Sequence, residues 1–92
     1  MKSEFNGKTA LVTGASRGIG AATAIALARH GAARVVIQYN SYREGAEKTL
    51  AAIESLGAEA AAIQSDLGSS PGIEACVAAI REKAPDVDIL IN

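Results

Sequence analysis

Three glycines in the segment 13–20 lie where a short apolar run gives way to an alanine-rich stretch. The run 10–12 predicts a buried strand, and the residues from Ala21 onward predict a helix. A glycine turn between a strand and a helix leaves backbone N–H groups free at the helix N-terminus, where the helix dipole favours negative charge. We therefore expect this turn to bind an anion, and a pyrophosphate suits it best.

The spacing of these glycines distinguishes the turn from two common phosphate-binding loops. Gly14, Gly18 and Gly20 follow the pattern G-x-x-x-G-x-G, whereas the common dinucleotide fingerprint is G-x-G-x-x-G. A P-loop is excluded because neither a Lys-Ser nor a Lys-Thr pair follows the glycines. The alternative is a tight turn without a ligand, in which glycine serves only to allow positive φ. The ligand site is favoured by Thr13, Ser16 and Arg17, because a bare turn does not need phosphate-compatible side chains.

Alternating strand and helix patterns along the chain position this loop. Short apolar runs predict strands over 8–13, 34–39, 59–64 and 87–91. Helices are predicted over 19–30, over 41–56, and from Ser70 to just before Pro85. The order βαβαβαβ requires a parallel sheet with right-handed crossovers, and the expected strand order is 3-2-1-4. We therefore predict a Rossmann-like α/β fold, truncated after strand 4.

Local signals predict where the helices begin and end. Gly31 is expected as the left-handed cap that ends the first helix. Ser41, with Glu44 three residues later, resembles a capping box at the start of the second helix. Ser70 is expected to cap the third helix, with Pro71 at its first position. The third helix has an apolar face that we expect to be core, formed by Ile73, Val77 and Ile80, with Cys76 beside them.

The predicted strand order places a crevice between strands 1 and 4. Ligands of open α/β sheets bind where the strand order reverses, beyond the carboxyl ends of the strands. The glycine loop follows strand 1, and Asn92 follows strand 4. We therefore expect the loop and Asn92 to flank the same crevice.

Composition excludes several classes of function. With 92 residues, of which 49% are hydrophobic and 21% charged, the chain is one small globular domain rather than a disordered segment. A net charge of -1 gives no electrostatic case for nucleic acid or an anionic membrane as partner. The single cysteine, Cys76, allows no intrachain disulfide and suggests no metal site. No apolar stretch approaches the ~20 residues of a membrane span, and the N-terminus has no signal-peptide core, so we expect a cytoplasmic protein.

The segment 13–20 resembles the cofactor motif of the short-chain dehydrogenase/reductase family. Two further segments agree with that family in order and place. Asp66-Leu67 follows strand 3, where the family lines its adenine pocket, and 88–92 resembles the family's strand 4 with the start of its Asn-Asn-Ala-Gly motif. The likeness is greatest for 3-oxoacyl-(acyl-carrier-protein) reductase-like and sugar-dehydrogenase-like members.

The resemblance implies that residues 1–92 are the N-terminal part of a single dinucleotide-binding Rossmann domain. It also implies a set of cofactor-binding residues along one edge of the sheet. These residues are Gly14, Ser16, Arg17, Gly18, Ile19, Gly20, Tyr39, Asn40, Ser41, Asp66, Leu67 and Asn92.

The end of strand 2 predicts which dinucleotide would bind. An NAD site usually has an acidic residue there, which binds the ribose 2′-OH and would repel a 2′-phosphate. Residues 38–41 contain no carboxylate, and Arg17, or less strongly Arg43, is available to a 2′-phosphate. We therefore predict NADP rather than NAD, and the missing acid also argues against an S-adenosylmethionine site. Two alternatives stay open: Arg17 as a solvated loop cation, and Asp66 as a turn former only.

The chain departs from the family in its catalytic residues. In the family, a catalytic Ser and a Tyr-x-x-x-Lys pair follow strand 4, and no Tyr-x-x-x-Lys occurs in these 92 residues. Arg43 lies four residues after Tyr39, and Ala46 lies four residues after Tyr42. We therefore assign no catalytic residue to this chain.

These observations together predict the cofactor-binding half of an NADP-dependent oxidoreductase that, when intact, interconverts a small carbonyl compound and an alcohol. The alternative is a catalytically inactive nucleotide-binding half-domain, natural or engineered. Strand 4 would be an unpaired sheet edge, and such edges invite pairing with another chain. We therefore also expect a homo-oligomer.

Overall fold

Parallel β-strands form one four-stranded sheet in the computed structural model, which describes residues 5–92. The elements in chain order are β1 (Thr9–Val12), α1 (Gly18–Arg29), β2 (Arg34–Tyr39), α2 (Arg43–Ser55), β3 (Glu59–Gln64), α3 (Ser70–Lys83) and β4 (Ile89–Ile91). The strands lie in the order β3-β2-β1-β4, and all neighbouring pairs are parallel. The Rossmann-like fold and its strand order, both predicted from the sequence, are confirmed. None of the helices in this described part of the chain is long and apolar enough to cross a membrane.

The sheet buries apolar side chains on both faces, as parallel sheets covered by helices do. The most buried strand is β2, in which Val35, Val36 and Ile37 have no exposed surface. On one face, Val35 and Ile37 pack with side chains of α1 and α2, including Ile53. On the other face, Val36 packs with Cys76 of α3. The two core clusters therefore hold α1 and α2 on one side of the sheet and α3 on the other.

Gly31 ends α1 as the sequence predicts. Its φ is 103°, a left-handed value that favours glycine. Its N–H donates to the carbonyl of Ala28 at 3.2 Å, and the N–H of Ala32 donates to the carbonyl of Leu27 at 3.0 Å. These two bonds form a Schellman motif, which satisfies carbonyls at the end of the helix.

The predicted capping box of α2 is wrong. The helix begins at Arg43 with Tyr42 as its N-cap residue, and no side chain caps it. The carbonyl of Ser41 accepts the N–H of Arg43 at 2.9 Å, and this tight turn leaves Ser41 outside the helix. Glu44 instead forms an ion pair with Lys48, at 3.6 Å, along the helix surface.

The start of α3 lies one residue earlier than predicted. Ser69, and not Ser70, has the extended backbone of an N-cap residue, and its Oγ accepts the N–H of Gly72 at 3.1 Å. Pro71 is consequently the second residue of the helix, where its missing N–H leaves no intrahelical bond unmade.

The apolar face predicted for α3 is only partly buried. Cys76 is buried and Ile80 packs against the same cluster, whereas Ile73 and Val77 are 47% and 43% exposed. Residues four apart lie on one line along a helix, so the contact with the sheet follows the line of Cys76 and Ile80. Ile73 and Val77 lie on the flank of that line.

β4 is shorter than predicted and begins at Ile89. Asp88 explains the difference, because its Oδ2 accepts the N–H of Thr9 at 2.9 Å. The main-chain N–H of Asp88 donates to the carbonyl of Thr9, also at 2.9 Å. A side chain therefore takes the place of a main-chain acceptor there, and the regular ladder starts beyond it.

Leu90 gives the edge strand β4 an exposed apolar side chain. It is 60% exposed, whereas Ile89 and Ile91 pack against the core on the side of α1 and α2. We expect the chain to self-associate at micromolar concentration, and we expect Leu90→Lys to suppress this, because a charge on an edge strand opposes edge-to-edge pairing. Light scattering over a dilution series measures the effect.

Leu56→Lys is the matched control, because Leu56 is 40% exposed at the end of α2, away from β4. An unmodified chain that is monomeric at every concentration would contradict the prediction. Equal suppression by both substitutions would assign the association to general surface hydrophobicity rather than to β4.

Candidate functional site

The glycine loop connects β1 to α1 and is anchored to the end of β2. Gly14 follows β1 with φ of 61°, and its N–H donates to Oε1 of Gln38 at 2.9 Å. The next N–H, of Ala15, donates to the main-chain carbonyl of Gln38 at 3.0 Å. Two consecutive N–H groups of the loop therefore bind one residue of the neighbouring strand.

Gly18 and Gly20 are required for different reasons. Gly18 begins α1 with φ of 62°, which an L side chain adopts only with strain. Gly20 is required by a close approach, because a Cβ on it would lie 2.1 Å from the carbonyl oxygen of Gly14. The loop therefore folds back directly onto the first turn of α1.

The head of α1 presents main-chain N–H groups. Arg17 is the N-cap residue with an extended backbone, its side chain does not cap the helix, and the first turn has no acidic residue. The N–H of Ala21 donates to the carbonyl of Arg17 at 3.3 Å, whereas N–H groups of the first turn have no acceptor within a helix. Such a turn, at the positive end of the helix dipole, can bind an anion.

Gln38 positions the glycine loop, a role that its sequence position did not lead us to predict. Its side chain is buried, and besides its bond to the loop, its Nε2 donates to the carbonyl of Ser65 at 2.8 Å. One side chain thus links the segments that follow β1 and β3. A sequence signal was present, because a Gln that directly follows the buried run Val35–Ile37 must find hydrogen-bond partners.

The segment after β3 forms a tight turn. Oδ1 of Asp66 accepts the N–H of Gly68 at 2.8 Å, and its main-chain carbonyl accepts the N–H of Ser69 at 3.4 Å. A Cβ on Gly72 would lie 1.8 Å from the same carbonyl, so α3 starts in direct contact with this turn. Asp66 therefore forms a turn and Leu67 is 39% exposed, while the cofactor-binding role of both residues stays a prediction.

The predicted residues at the end of β2 separate into two groups. Tyr39 is only 7% exposed and packs in the core, while its carbonyl accepts the N–H of Ser65 at 2.9 Å. Asn40 and Ser41 are exposed. The structure therefore brings the side chains of Asn40 and Ser41 to the surface, and it keeps the ring of Tyr39 inside.

Asn92 meets the end of β1, as its position after strand 4 predicts. Its Oδ1 accepts the hydroxyl of Thr13 at 3.2 Å, and the N–H of Thr13 donates to the carbonyl of Ile91 at 3.0 Å. Asn92 and the glycine loop consequently lie at the same edge of the sheet, where β1 and β4 are neighbours.

Arg17 extends from the loop toward α2. Its guanidinium lies 5.7 Å from the centroid of the Tyr42 ring, within the range of a cation–π contact. Both residues are exposed. The Arg17 side chain and the first turn of α2 therefore form one surface beside Asn40 and Ser41.

Comparison with known proteins gives consistent matches over the whole described fold. Residues 8–92 match the profile of the short chain dehydrogenase family. The chain is 40% identical to 3beta-hydroxysteroid dehydrogenase 1 of Eggerthella lenta, over 100% of this chain and 35% of that protein. A solved Burkholderia cenocepacia dehydrogenase with bound NADP has a TM-score of 0.89 and 35% identity, over 100% of this chain and 36% of that one. NAD+-bound xylitol dehydrogenase has a TM-score of 0.84 and 34% identity, over 96% and 33% of the two chains.

A parallel sheet of this strand order, with a glycine loop at the head of its first helix, defines the Rossmann class of proteins. Within that class, the chain belongs to the short-chain dehydrogenase family, whose profile spans nearly all of it. The chain spans only about a third of the length of the relatives named above. The likeness to 3-oxoacyl-(acyl-carrier-protein) reductases stays a prediction.

The Gln38 link predicts a large loss of stability from one substitution. Gln38→Leu removes both side-chain hydrogen bonds and leaves the Gly14 N–H and the Ser65 carbonyl without this partner, so we expect the free energy of unfolding to fall by about 2–4 kcal/mol. Urea unfolding followed by circular dichroism measures it.

Gln64→Leu is the control, because Gln64 is exposed and donates to the carbonyl of Asn40 at the surface. We expect it to cost less than about 1 kcal/mol. Similar losses in the two variants would show that the loop does not depend on Gln38.

Proposed function

We propose that this chain is the dinucleotide-binding part of an oxidoreductase that interconverts a carbonyl compound and an alcohol, with NADP as cofactor. The observation that carries the proposal is the uncapped head of α1. There, glycines at positive φ bring main-chain N–H groups to the sheet edge where β1 and β4 are neighbours. Membership of the short-chain dehydrogenase family supports the same reading. When bound, the nicotinamide of the cofactor accepts or supplies hydride.

The residues at this edge fit a bound dinucleotide. A Cβ on Gly18 would meet no heavy atom within 4 Å, so the space beside the first turn is open. The neighbouring Ile19 is 88% exposed, and such an apolar side chain gains from being covered by a ligand. In the proposed arrangement the first turn of α1 binds the pyrophosphate, Asn40 and Ser41 contact the ribose, and the segment from Asp66 lines the adenine pocket.

The choice of NADP rests on charge. Residues 38–41 have no carboxylate to repel a 2′-phosphate, and Arg17 extends toward this segment. Neither of the ion pairs found among residues 5–92 includes Arg17. Solved relatives of this fold carry either NADP or NAD+, so the preference depends on these local charges rather than on the fold.

Gly18 allows a direct test of the cofactor site. We expect Gly18→Ala to raise the dissociation constant of NADPH about tenfold or more, because the new methyl group enters the open space at the head of α1. Fluorescence titration of the 92-residue chain measures the constant, and circular dichroism verifies that the variant is folded.

Gly57→Ala is a matched control. Gly57 has φ of 91° and nothing within 4 Å of its Cβ position, but it follows α2 at the opposite end of the sheet. Each substitution strains a left-handed residue by a similar amount, roughly 1–2 kcal/mol. Because the two sites differ only in their position, we expect Gly18→Ala alone to weaken NADPH binding. A folded Gly18→Ala variant with unchanged NADPH affinity would refute the proposed site.

The proposal separates cofactor binding from catalysis. The 92 residues contain no Tyr-x-x-x-Lys, which favours a chain that binds the dinucleotide without turning it over. We expect no carbonyl reduction by the 92-residue chain with NADPH, followed as loss of absorbance together with formation of alcohol. Stoichiometric alcohol formation that disappears in Gly18→Ala would instead assign a proton donor to this chain.

A further inference from the structure

The ring of Tyr42 packs closely against a glycine of α2, Gly45. A Cβ on Gly45 would lie 2.5 Å from Cδ2 and Cε2 of Tyr42, and 2.1 Å from the carbonyl oxygen of Ser16. No side chain larger than hydrogen fits between them. Gly45 therefore allows the Tyr42 ring and the glycine loop to contact the same turn of α2.

The guanidinium of Arg17 lies over this ring, 5.7 Å from its centroid. Arg17 is the N-cap residue of α1, and Tyr42 is the N-cap residue of α2. A cation is unfavourable at the positive end of a helix dipole, and the electron-rich face of an aromatic ring partly compensates for this. The ring thus holds a charge where two helix ends would otherwise repel it.

The charged side chains at the start of α2 do not form an ion pair with Arg17. Glu44, the acidic residue in the first turn of α2, is paired with Lys48 at 3.6 Å. Arg43, the next residue after Tyr42, is exposed and adds a second positive charge. Among the described residues, the positive charge of Arg17 is thus balanced by the Tyr42 ring and by no ion-paired carboxylate.

We propose that Tyr42 is a positioning residue for cofactor specificity, whose ring holds the Arg17 guanidinium in place to bind the 2′-phosphate of NADP. The inference rests on the proposed function, because it concerns the same dinucleotide site. Tyr42 acts through Arg17 and makes no contact of its own with the phosphate. Its removal consequently weakens NADPH binding without a matching effect on NADH.

The test is a double-mutant cycle on the 92-residue chain, with dissociation constants for NADPH and NADH as the readout. We expect Arg17→Ala to weaken NADPH binding roughly ten- to a hundredfold. Tyr42→Leu should weaken it about two- to fivefold, the effect of an exposed cation–π contact, and should leave NADH unchanged. Added to Arg17→Ala, Tyr42→Leu should have no further effect, because the residue through which it acts is gone.

Tyr42→Phe is the matched control, because it keeps the ring and removes only the hydroxyl, and it should bind both nucleotides as the unmodified chain does. Tyr42→Met provides a second ring-free variant in case Tyr42→Leu does not fold. Equal weakening of NADPH and NADH by loss of the ring, or additive effects in the double variant, would overturn the inference.

Two further outcomes separate this inference from the proposed function. Equal affinities of the unmodified chain for NADPH and NADH would overturn the role of Tyr42 and the choice of NADP, but not dinucleotide binding. An unmodified chain that binds neither nucleotide would overturn the proposed function, and this inference with it.

Discussion

The contact between Gly14 and the first turn of α1 is the constraint on which the rest of the site depends. The carbonyl of Gly14 lies so close to Gly20 that no side chain fits between them. Because the chain turns this sharply, the N–H groups of Gly14 and Ala15 lie beside Gln38, and its side chain binds the loop to the segment after β3. The uncapped head of α1 is consequently fixed in direction as well as in position.

Similarly close packing occurs at the start of each helix among residues 5–92. The third residue of every helix in residues 5–92 is a glycine, and a Cβ on it would collide with a carbonyl of a preceding loop. These glycines are Gly20, Gly45 and Gly72. The carbonyl oxygens lie 2.1, 2.1 and 1.8 Å from their respective Cβ positions, and belong to Gly14, Ser16 and Asp66. The contacts at Gly20 and Gly72 fold a loop onto the helix that follows it, whereas the contact at Gly45 joins the start of α2 to the glycine loop before α1.

This arrangement has an electrostatic consequence. Two helices, α1 and α2, begin next to each other without a side-chain cap, and both present their positive ends to the same surface. Arg17 adds a full positive charge there and is balanced by an aromatic ring. By contrast, α3 is capped by Ser69. The positive surface therefore lies on the side of β2, which is where the proposed ribose contacts Asn40 and Ser41 are exposed.

The sequence by itself determined the order of elements, the strand order and the position of the glycine loop, because each depends on local periodicity and on the few residues that allow a tight turn. It also placed Asn92 at the same edge of the sheet as the glycine loop, because the carboxyl ends of parallel strands lie at one edge of a sheet. Only the tertiary structure decided which side of α3 faces the sheet, and that Tyr39 is buried while Leu90 is exposed. Those outcomes depend on contacts between elements, as do the link made by Gln38 and the pairing of Arg17 with Tyr42. Local pattern cannot predict them, because the partners are distant in sequence and meet only when the sheet has formed.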